Sequence, residues 1–288
     1  MNSSVNYKIV FLVPIFENED CVEDLIKNIQ ATCPNSAILF HVNSNSNDDF
    51  FQNIEKLVDY YSFCYLLPQR YPTEWCNGVL AFAFLDMMKY ANELIDFDYC
   101  YFTASNSLVI NPLLEDALYP YDAFLRQPYK LRDDAKIMYF NKDENLKQYV
   151  DLYHGDVYNC FFEGMALSKK ITKHFVDDAH SYASKTPVYY CSEEIWLPTI
   201  LSNLNEKHNY NWCKENLEKW SHFGDHVIND LQLEVGVARD YVSSIFAESN
   251  YSMLSEINIY SLKRVPRVYN DELRTLIRNN FGYANEIF

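Results

Sequence analysis

The stretch that decides the fold runs from Asp98 to Pro112 and reads DYCYFTASNSLVINP. Its first part, which ends at Phe102, is rich in aromatic and small apolar residues, and a long apolar segment precedes it. A strand that is apolar on both faces is typical of the covered centre of an α/β sheet. Ligands of such sheets gather beyond the carboxyl ends of the strands, so we expect the polar run Ser105-Asn106-Ser107 at a binding site.

The segments before this stretch alternate between strand and helix patterns. Continuous apolar runs predict strands at 8–13, 36–42 and 63–67, and helically spaced apolar residues predict helices at 17–33, 51–58 and 75–95. Alternation of this kind is typical of a largely parallel sheet with helices on both faces. The sequence therefore predicts an α/β fold.

The second half of the chain has a less regular pattern. We predict strands at 122–125, 136–140 and 257–263, and helices at 169–182, at 192–204, near Glu215 and at 271–278. Pro198 must either kink the helix at 192–204 or mark its true start, because proline lacks the backbone N–H. With no internal repeat and no Pro/Gly-rich linker, residues 1–288 are predicted to form one domain with an irregular, partly helical C-terminal part.

Composition excludes some classes of function. The 24 basic and 40 acidic residues give a formal charge of −16, which argues against a nucleic-acid-binding protein. The eight cysteines include no Cys-x-x-Cys pair and several lie in apolar runs, which fits a reducing compartment better than a disulfide framework. The N-terminal apolar run is too short for a membrane span, so we expect a cytoplasmic protein without one.

Four motifs, taken in order, resemble one enzyme family. They are WCNG at 75–78, DYCYFTASNSLVI at 98–110, FFEGMALSK at 161–169 and CSEEIWLPTIL at 191–201. The sequence resembles the core 2/I-branching β-1,6-N-acetylglucosaminyltransferases over roughly residues 8–204, and more weakly through the basic tail. The resemblance implies a GT-A-like, Rossmann-type mixed sheet, inversion at the sugar and no metal. It also implies a nucleotide-sugar-binding half at 1–112 and an acceptor-binding and catalytic half at 113–288.

An inverting transferase needs a general base for the acceptor hydroxyl, and a carboxylate is the usual choice. The resemblance assigns this role to Glu194, the second of two adjacent acids in the last motif. Neighbouring residues of a helix point in different directions, so only one of the two can face the site. Glu193 is retained as a candidate acceptor-binding residue. The alternative is that both acids only favour a helix N-terminus.

A departing nucleoside diphosphate carries negative charge that a metal or basic side chains must offset. Many sugar-nucleotide transferases hold a metal with Asp-x-Asp after the central strand, but Ser105-Asn106-Ser107 contains no carboxylate. The resemblance implies a clamp of one Lys and one Arg near the C-terminus, and this chain offers Lys263, Arg264 and Arg267. Which two of them correspond stays open. The alternative is a solvated cluster, or pairing with the acids at 271–272.

Four residues are candidates for binding the nucleotide. Asn43 ends the second predicted strand, where similar enzymes often place an Asp that hydrogen-bonds uracil. Pro14 and Phe16 end the first strand and would form the pocket wall. Trp75 could stack on a ring, although the first residue of an apolar helix is more often part of the core.

Two further residues are candidates for binding sugar or phosphate. Asn106 can hydrogen-bond the donor sugar or a phosphate without holding a metal strongly. Glu163 is the lone acid in an apolar run and would be costly to bury unpaired, so it either holds acceptor hydroxyls or pairs with a cation. His154 and Asp156 offer two metal-ligand types without a third, which is more typical of a loop.

The leading hypothesis is a metal-independent, inverting glycosyltransferase that moves N-acetylglucosamine or another hexose from a UDP-sugar to a hydroxyl of a glycan acceptor. UDP-GlcNAc is the donor that the resemblance favours, and UDP-glucose or UDP-galactose would fit the same residues. One alternative is a metal-dependent transferase whose ligands come from Asp48, Asp49 or Asp156. A second is a nucleotide-sugar-binding module without turnover.

Overall fold

The computed structural model describes residues 5–16, 18–74, 77–126, 128–131, 141–154, 156–179, 191–215, 217–220 and 260–283. Trp75 and the strand predicted at 136–140 lie outside the described residues. The same holds for the first residues of the strand predicted at 257–263.

Within these ranges, helices and strands alternate through the first half as predicted. The helices are α1 (Glu19–Thr32), α2 (Asp48–Tyr60), α3 (Leu80–Leu94), α4 (Leu114–Ala117), α5 (Glu144–Tyr153), α6 (Lys169–Ala179), α7 (Ser192–His208) and α8 (Glu272–Phe281). The strands are β1 (Asn6–Ile15), β2 (Ala37–Val42), β3 (Cys64–Leu66), β4 (Asp96–Phe102), β5 (Leu108–Val109), β6 (Ala123–Phe124), β7 (Tyr129–Lys130), β8 (Tyr158–Asn159), β9 (Ala166–Ser168), β10 (Trp212–Cys213), β11 (Glu218–Trp220) and β12 (Ser261–Lys263).

The main sheet has seven strands in the described part of the chain, in the order β10-β6-β9-β4-β1-β2-β3. Strands β4, β1, β2 and β3 are mutually parallel, and β9 runs antiparallel to β4 and to β6. The predicted central strand is therefore the middle strand of the sheet. A smaller sheet of order β11-β12-β5 lies beyond its carboxyl end.

Both faces of the sheet are buried. Val10 and Leu12 of β1 pack into a cluster with α3, α6 and α7, whereas Ile9 and Phe11 pack on the other side with α1, α2 and α8. This two-sided burial explains why residues 9–13 of β1 and 99–102 of β4 read as continuous apolar runs rather than alternating ones. The predicted α/β fold with helices on both faces is confirmed.

Side-chain caps fix the starts of several helices. Asn18, Asn47, Asp143 and Asp271 each precede a helix and accept a hydrogen bond from a backbone N–H of its first turn. Such caps satisfy one of the N–H groups that lack a partner inside the helix. They fix the starts of α1, α2, α5 and α8.

Two helices differ from their predicted limits. Helix α3 begins at Leu80 rather than at residue 75, and Gly78 just before it adopts a φ of 70°, outside the right-handed helical region. In α7, Pro198 lies inside a helix that runs from Ser192 to His208, so it does not mark the start.

The helix predicted near Glu215 is wrong for the residues that the structure describes. Strands β10 and β11 flank that position and pair in parallel with β6 and β12. Pairing with two existing strand edges overrides the weak local preference of a short segment. Among the described residues, no helix has the length and apolar character needed to cross a membrane.

Candidate active site

A polar loop at the carboxyl end of β4 forms the floor of the candidate site. Thr103, Ser105 and Ser107 are buried there, and the N–H of Ser107 donates to the carbonyl of Ala104 at 3.0 Å. The chain then continues into β5, which pairs antiparallel with β12. The loop is therefore held against the strand that carries Lys263.

Residues 263–267, here called the basic segment, cross the ends of two parallel strands. Beyond β4, the N–H of Val265 donates to the carbonyl of Asn106 at 3.0 Å. Beyond β1, the side-chain amide of Asn18 donates to the carbonyl of Arg267 at 2.8 Å. The Arg267 guanidinium lies 4.6 Å from the centre of the Phe16 ring. The predicted basic cluster therefore lies at the ligand-binding edge of the sheet.

Lys263 and Glu163 form an ion pair in the interior of this site. Their side chains are only 14% and 9% exposed. The sequence left two interpretations of Glu163, and the structure shows the one in which it pairs with a cation. Such pairing is expected, because a buried carboxylate without a partner would be costly. An acceptor role for Glu163 stays a prediction.

The two adjacent acids of α7 lie in different surroundings. Glu193 is buried, and Glu194 is half-buried. Burial, with smaller contributions from the charges of Glu194 and Glu163, raises the pKa of Glu193 to about 8, and a backbone hydrogen bond and the charge of Lys263 oppose the shift. At neutral pH Glu193 therefore holds a proton. The main-chain carbonyl of Glu194, one residue later, accepts a hydrogen bond from the N–H of Cys160 at 2.9 Å.

A third buried acid, Glu218 of β11, was not identified from the sequence. Its Oε2 accepts hydrogen bonds from Ser261 at 2.9 Å and from Thr103 at 3.3 Å. Burial raises the pKa of Glu218 to about 7, and Lys263 opposes the shift. One acid in a segment without a clear helix or strand period offers no sequence signal that would single it out.

The candidate nucleotide residues lie at the ends of β1 and β2. Pro14 pairs in register with His41, and Phe16 is 46% exposed. Asn43 is buried, and its side-chain amide donates to the carbonyl of Thr73 while its oxygen accepts from the N–H of Asn45 at 2.9 Å. The Asn43 side chain therefore shapes the loops after β2 and β3.

The loop after β3 is fixed to the end of β2 by two further side chains. Nε2 of His41 accepts a hydrogen bond from the N–H of Tyr71 at 2.9 Å, and burial lowers the pKa of His41 to about 4. The guanidinium of Arg70 donates to the carbonyls of Asn43 and Ser46, each at 3.0 Å. A neutral histidine and a hydrogen-bonded arginine thus hold this wall in place.

The carboxylates considered as metal ligands lie in separate environments. Asp48 and Asp49 form the first turn of α2, and the Asp48 side chain is 91% exposed. Asp156 forms an ion pair with Lys130. In the described ranges, no group of three or more His, Cys, Asp or Glu side chains could hold a metal ion.

No protein-family model matches the chain, and no curated protein matches it. Among solved structures, the chain is similar to the galactosyltransferase LgtC in complex with donor and acceptor sugar analogues. The identity is 12% and the TM-score 0.45, over 96% of this chain and 97% of that chain.

Two other solved structures share a weaker likeness. For the glycosyltransferase GlyE of Streptococcus pneumoniae the identity is 12% and the TM-score 0.39, over 95% of this chain and 60% of that chain. For S. aureus TarS the identity is 16% and the TM-score 0.31, over 44% of this chain and 23% of that chain. The chain thus spans less than two thirds of GlyE and of TarS. At these scores the likeness assigns no function.

The proton of Glu193 leads to a first prediction. We expect Glu193→Gln to raise the melting temperature near pH 9 by about 10 °C, or about 5 kcal/mol, and to change it little near pH 5. The pKa of Glu193 rises from its ordinary value of 4.5 to about 8 on folding. As pH rises through this window, the unfolded chain loses the proton first, so the free energy of unfolding falls. Glutamine removes that loss.

Melting curves of the wild type and of Glu193→Gln over the same pH range test this prediction. The control is Glu144→Gln, at an exposed ion pair with Lys147 on α5. Its melting temperature should follow that of the wild type. Parallel curves for the wild type and Glu193→Gln would show that Glu193 titrates as an ordinary carboxyl.

Proposed function

We propose that this chain is an inverting, metal-independent glycosyltransferase that moves N-acetylglucosamine or another hexose from a UDP-sugar to a hydroxyl of a glycan acceptor. One observation carries the proposal. The basic segment crosses the carboxyl ends of β1 and β4, beside the polar loop that follows β4. This edge of a parallel sheet is where nucleotide ligands bind.

The charge of the segment supports a diphosphate as the ligand. The whole chain carries a formal charge of −16, so a run with three cations at this edge is a local exception. Arg264 and Arg267 are assigned to the diphosphate, because guanidinium groups match phosphate oxygens with paired hydrogen bonds. Lys263 is assigned to the buried ion pair with Glu163 rather than to the diphosphate.

The nucleoside is assigned to the wall beside Arg267. Phe16 is exposed at the end of β1 and offers a ring face or edge to the base or ribose. Pro14 and Asn43 complete the proposed pocket, with Asn43 acting through the loop that its amide holds in place. Trp75 keeps its proposed role as a nucleotide-binding residue. Asn106 is assigned to the donor sugar or a phosphate, since its main chain is fixed by the basic segment.

The chemistry requires one proton acceptor and one site for negative charge. The acceptor oxygen attacks the anomeric carbon, its proton passes to Glu194, and the bond to the diphosphate breaks with its electron pair on UDP. Attack opposite the leaving group inverts the configuration. Glu194 is better suited than Glu193 to take the proton, since the raised pKa of Glu193 leaves that group protonated at neutral pH. Glu163 and Glu193 would contact the acceptor.

Nucleotide binding tests the proposal directly. We expect UDP and UDP-GlcNAc to raise the melting temperature, because a ligand concentration of about a hundredfold over Kd stabilises the folded state by about 2.7 kcal/mol. The rise should be equal in Mn²⁺ and in EDTA, because the proposed site uses no metal. Arg264→Ala and Arg267→Ala should each weaken binding by about tenfold, or about 1.4 kcal/mol.

Lys147→Ala, at the surface ion pair of α5, is the matched control and should bind as the wild type does. A shift that appears only with Mn²⁺ would favour a metal-dependent transferase. The absence of a shift with every nucleotide would contradict nucleotide-sugar binding altogether.

A further inference from the structure

Glu218 of β11 connects β12, the strand that leads into the basic segment, to the end of the central strand β4. It is 0% exposed, and β11 pairs in parallel with β12 so that Glu218 lies opposite Ser261. Its Oε2 accepts from the hydroxyl of Ser261 and, at 3.3 Å, from the hydroxyl of Thr103 just beyond β4. Ser261 also hydrogen-bonds the hydroxyl of Tyr101 within β4, at 2.7 Å. One carboxylate therefore links two sheets.

These hydrogen bonds alone do not require a carboxylate, because a glutamine oxygen could accept them. The charge environment does call for one. Lys263 opposes the burial shift of Glu218, and its ammonium forms the ion pair with Glu163. A lysine buried to this extent needs nearby negative charge, since an unpaired buried ammonium would be costly. Glu163 supplies it in the ion pair, and Glu218, on the strand that pairs with β12, places a second buried carboxylate on the side of β11.

We propose that Glu218 is a positioning residue that holds Lys263, and through it the basic segment, at the carboxyl end of β4. Lys263 is the first residue of the segment, and Val265 is hydrogen-bonded to Asn106 only two residues later. A displacement of Lys263 would move the adjoining Arg264, whereas Val265 and Arg267 also have anchors of their own at Asn106 and Asn18. The consequence for nucleotide binding rests on the proposed function, whereas the position of Lys263 does not.

The ionisation of Glu218 also determines how its effect on the position of Lys263 depends on pH. Glu218 is faced by Lys263 of β12, Glu163 before β9 and Tyr101 of β4. Burial raises the pKa of Tyr101 well above its ordinary value, so that hydroxyl stays neutral. Glu218 is ionised above about pH 7 and protonated below it, so the hold on Lys263 should weaken in acid.

The first arm of the test needs no ligand. Wild type and Glu218→Gln are acetylated briefly near pH 8, and modification of Lys263 is followed by peptide mass spectrometry. We expect Lys263 to react about fivefold faster in Glu218→Gln, a difference of about 1 kcal/mol. Glu115→Gln is the matched control, because Glu115 is a buried acid that accepts from Asn35 and Ser36, away from the basic segment. Equal rates in the wild type and Glu218→Gln would overturn the proposal.

The second arm measures the Kd of UDP-GlcNAc, whose diphosphate keeps its charge over this pH range. We expect Glu218→Gln to bind about tenfold more weakly near pH 8, with the difference lost near pH 5. Glu218→Asp, which keeps the charge, should regain part of the affinity, and Glu115→Gln should bind as the wild type does. A Glu218→Gln profile that matches the wild type would overturn the link to the segment. A wild type without nucleotide affinity would overturn the proposed function instead, and the acetylation arm would still decide the position of Lys263.

Discussion

Glu194→Gln should lower the rate of UDP release from UDP-GlcNAc by about 10²–10⁴-fold, with little change in the Kd of the donor. Glutamine keeps the size and hydrogen-bonding shape of the side chain but cannot take a proton from the attacking hydroxyl. The loss should therefore appear in turnover rather than in donor binding. Glu193→Gln, one residue earlier in the same helical turn, is the matched variant and should lose less than about tenfold. Its glutamine resembles the protonated carboxyl that the buried Glu193 already presents at neutral pH.

Both variants are measured in single turnover, with water and with glycan acceptors, across pH. If Glu193→Gln suffers the large loss and Glu194→Gln does not, the base is Glu193, and turnover should then rise towards its pKa of about 8. If both variants turn over at the wild-type rate, neither acid of α7 is the base. If the wild type binds the donor and releases no UDP with any acceptor, the chain is a binding module rather than an enzyme.

The sequence could predict the central part of the fold because burial on both faces has a direct signature. Residues 9–13 of β1 and 99–102 of β4 read as unbroken apolar runs, and each strand packs against helices on both sides. The carboxyl end of β4 then follows from chain direction alone, so the sequence suffices to place Ser105 to Ser107 at the ligand-binding edge of the sheet. The sequence identified the basic segment as a cluster of cations but could not predict its position beside this loop. Val265 and its hydrogen-bond partner Asn106 are 159 residues apart in the sequence.

The interior of the site could not be predicted, because it depends on pairs far apart in sequence. Glu163 and Lys263 meet across 100 residues, and Thr103 meets Glu218 across 115. Neither pair lies in a local pattern. The sequence also left Asn43 as a base-recognition residue, whereas the structure shows both ends of its amide bound within the loops. Which member of an adjacent acid pair faces inward likewise depends on the rotation of α7, which a helix with apolar residues all round does not reveal.

Asp24→Ala should reduce the free energy of unfolding by about 3–5 kcal/mol, the largest stability effect that the described residues suggest. Asp24 of α1 and Arg274 of α8 are each 0% exposed, and the guanidinium of Arg274 donates to the Asp24 carboxylate at 2.6 Å. Arg278 approaches the other carboxylate oxygen at 3.3 Å. Removal of the carboxylate leaves two buried guanidinium groups without their acid, a cost that packing cannot offset.

Urea denaturation of Asp24→Ala beside Asp20→Ala measures this effect. Asp20 lies exposed in the first turn of the same helix, so its loss should cost no more than about 1 kcal/mol through the helix dipole. A loss of similar size in both variants would show that the buried pair adds nothing beyond an ordinary surface acid.

The same pair connects stability to the candidate site. Nε of Arg274 donates to the carbonyl of Pro266, within the basic segment, at 2.6 Å. An Arg274 that has lost Asp24 can no longer hold that carbonyl in a fixed place, so Asp24→Asn should weaken the binding of UDP-GlcNAc as well as the fold. If the affinity of the folded fraction is unchanged, α8 stabilises the domain without positioning the basic segment, and that position depends on the contacts with β4, β12 and Asn18.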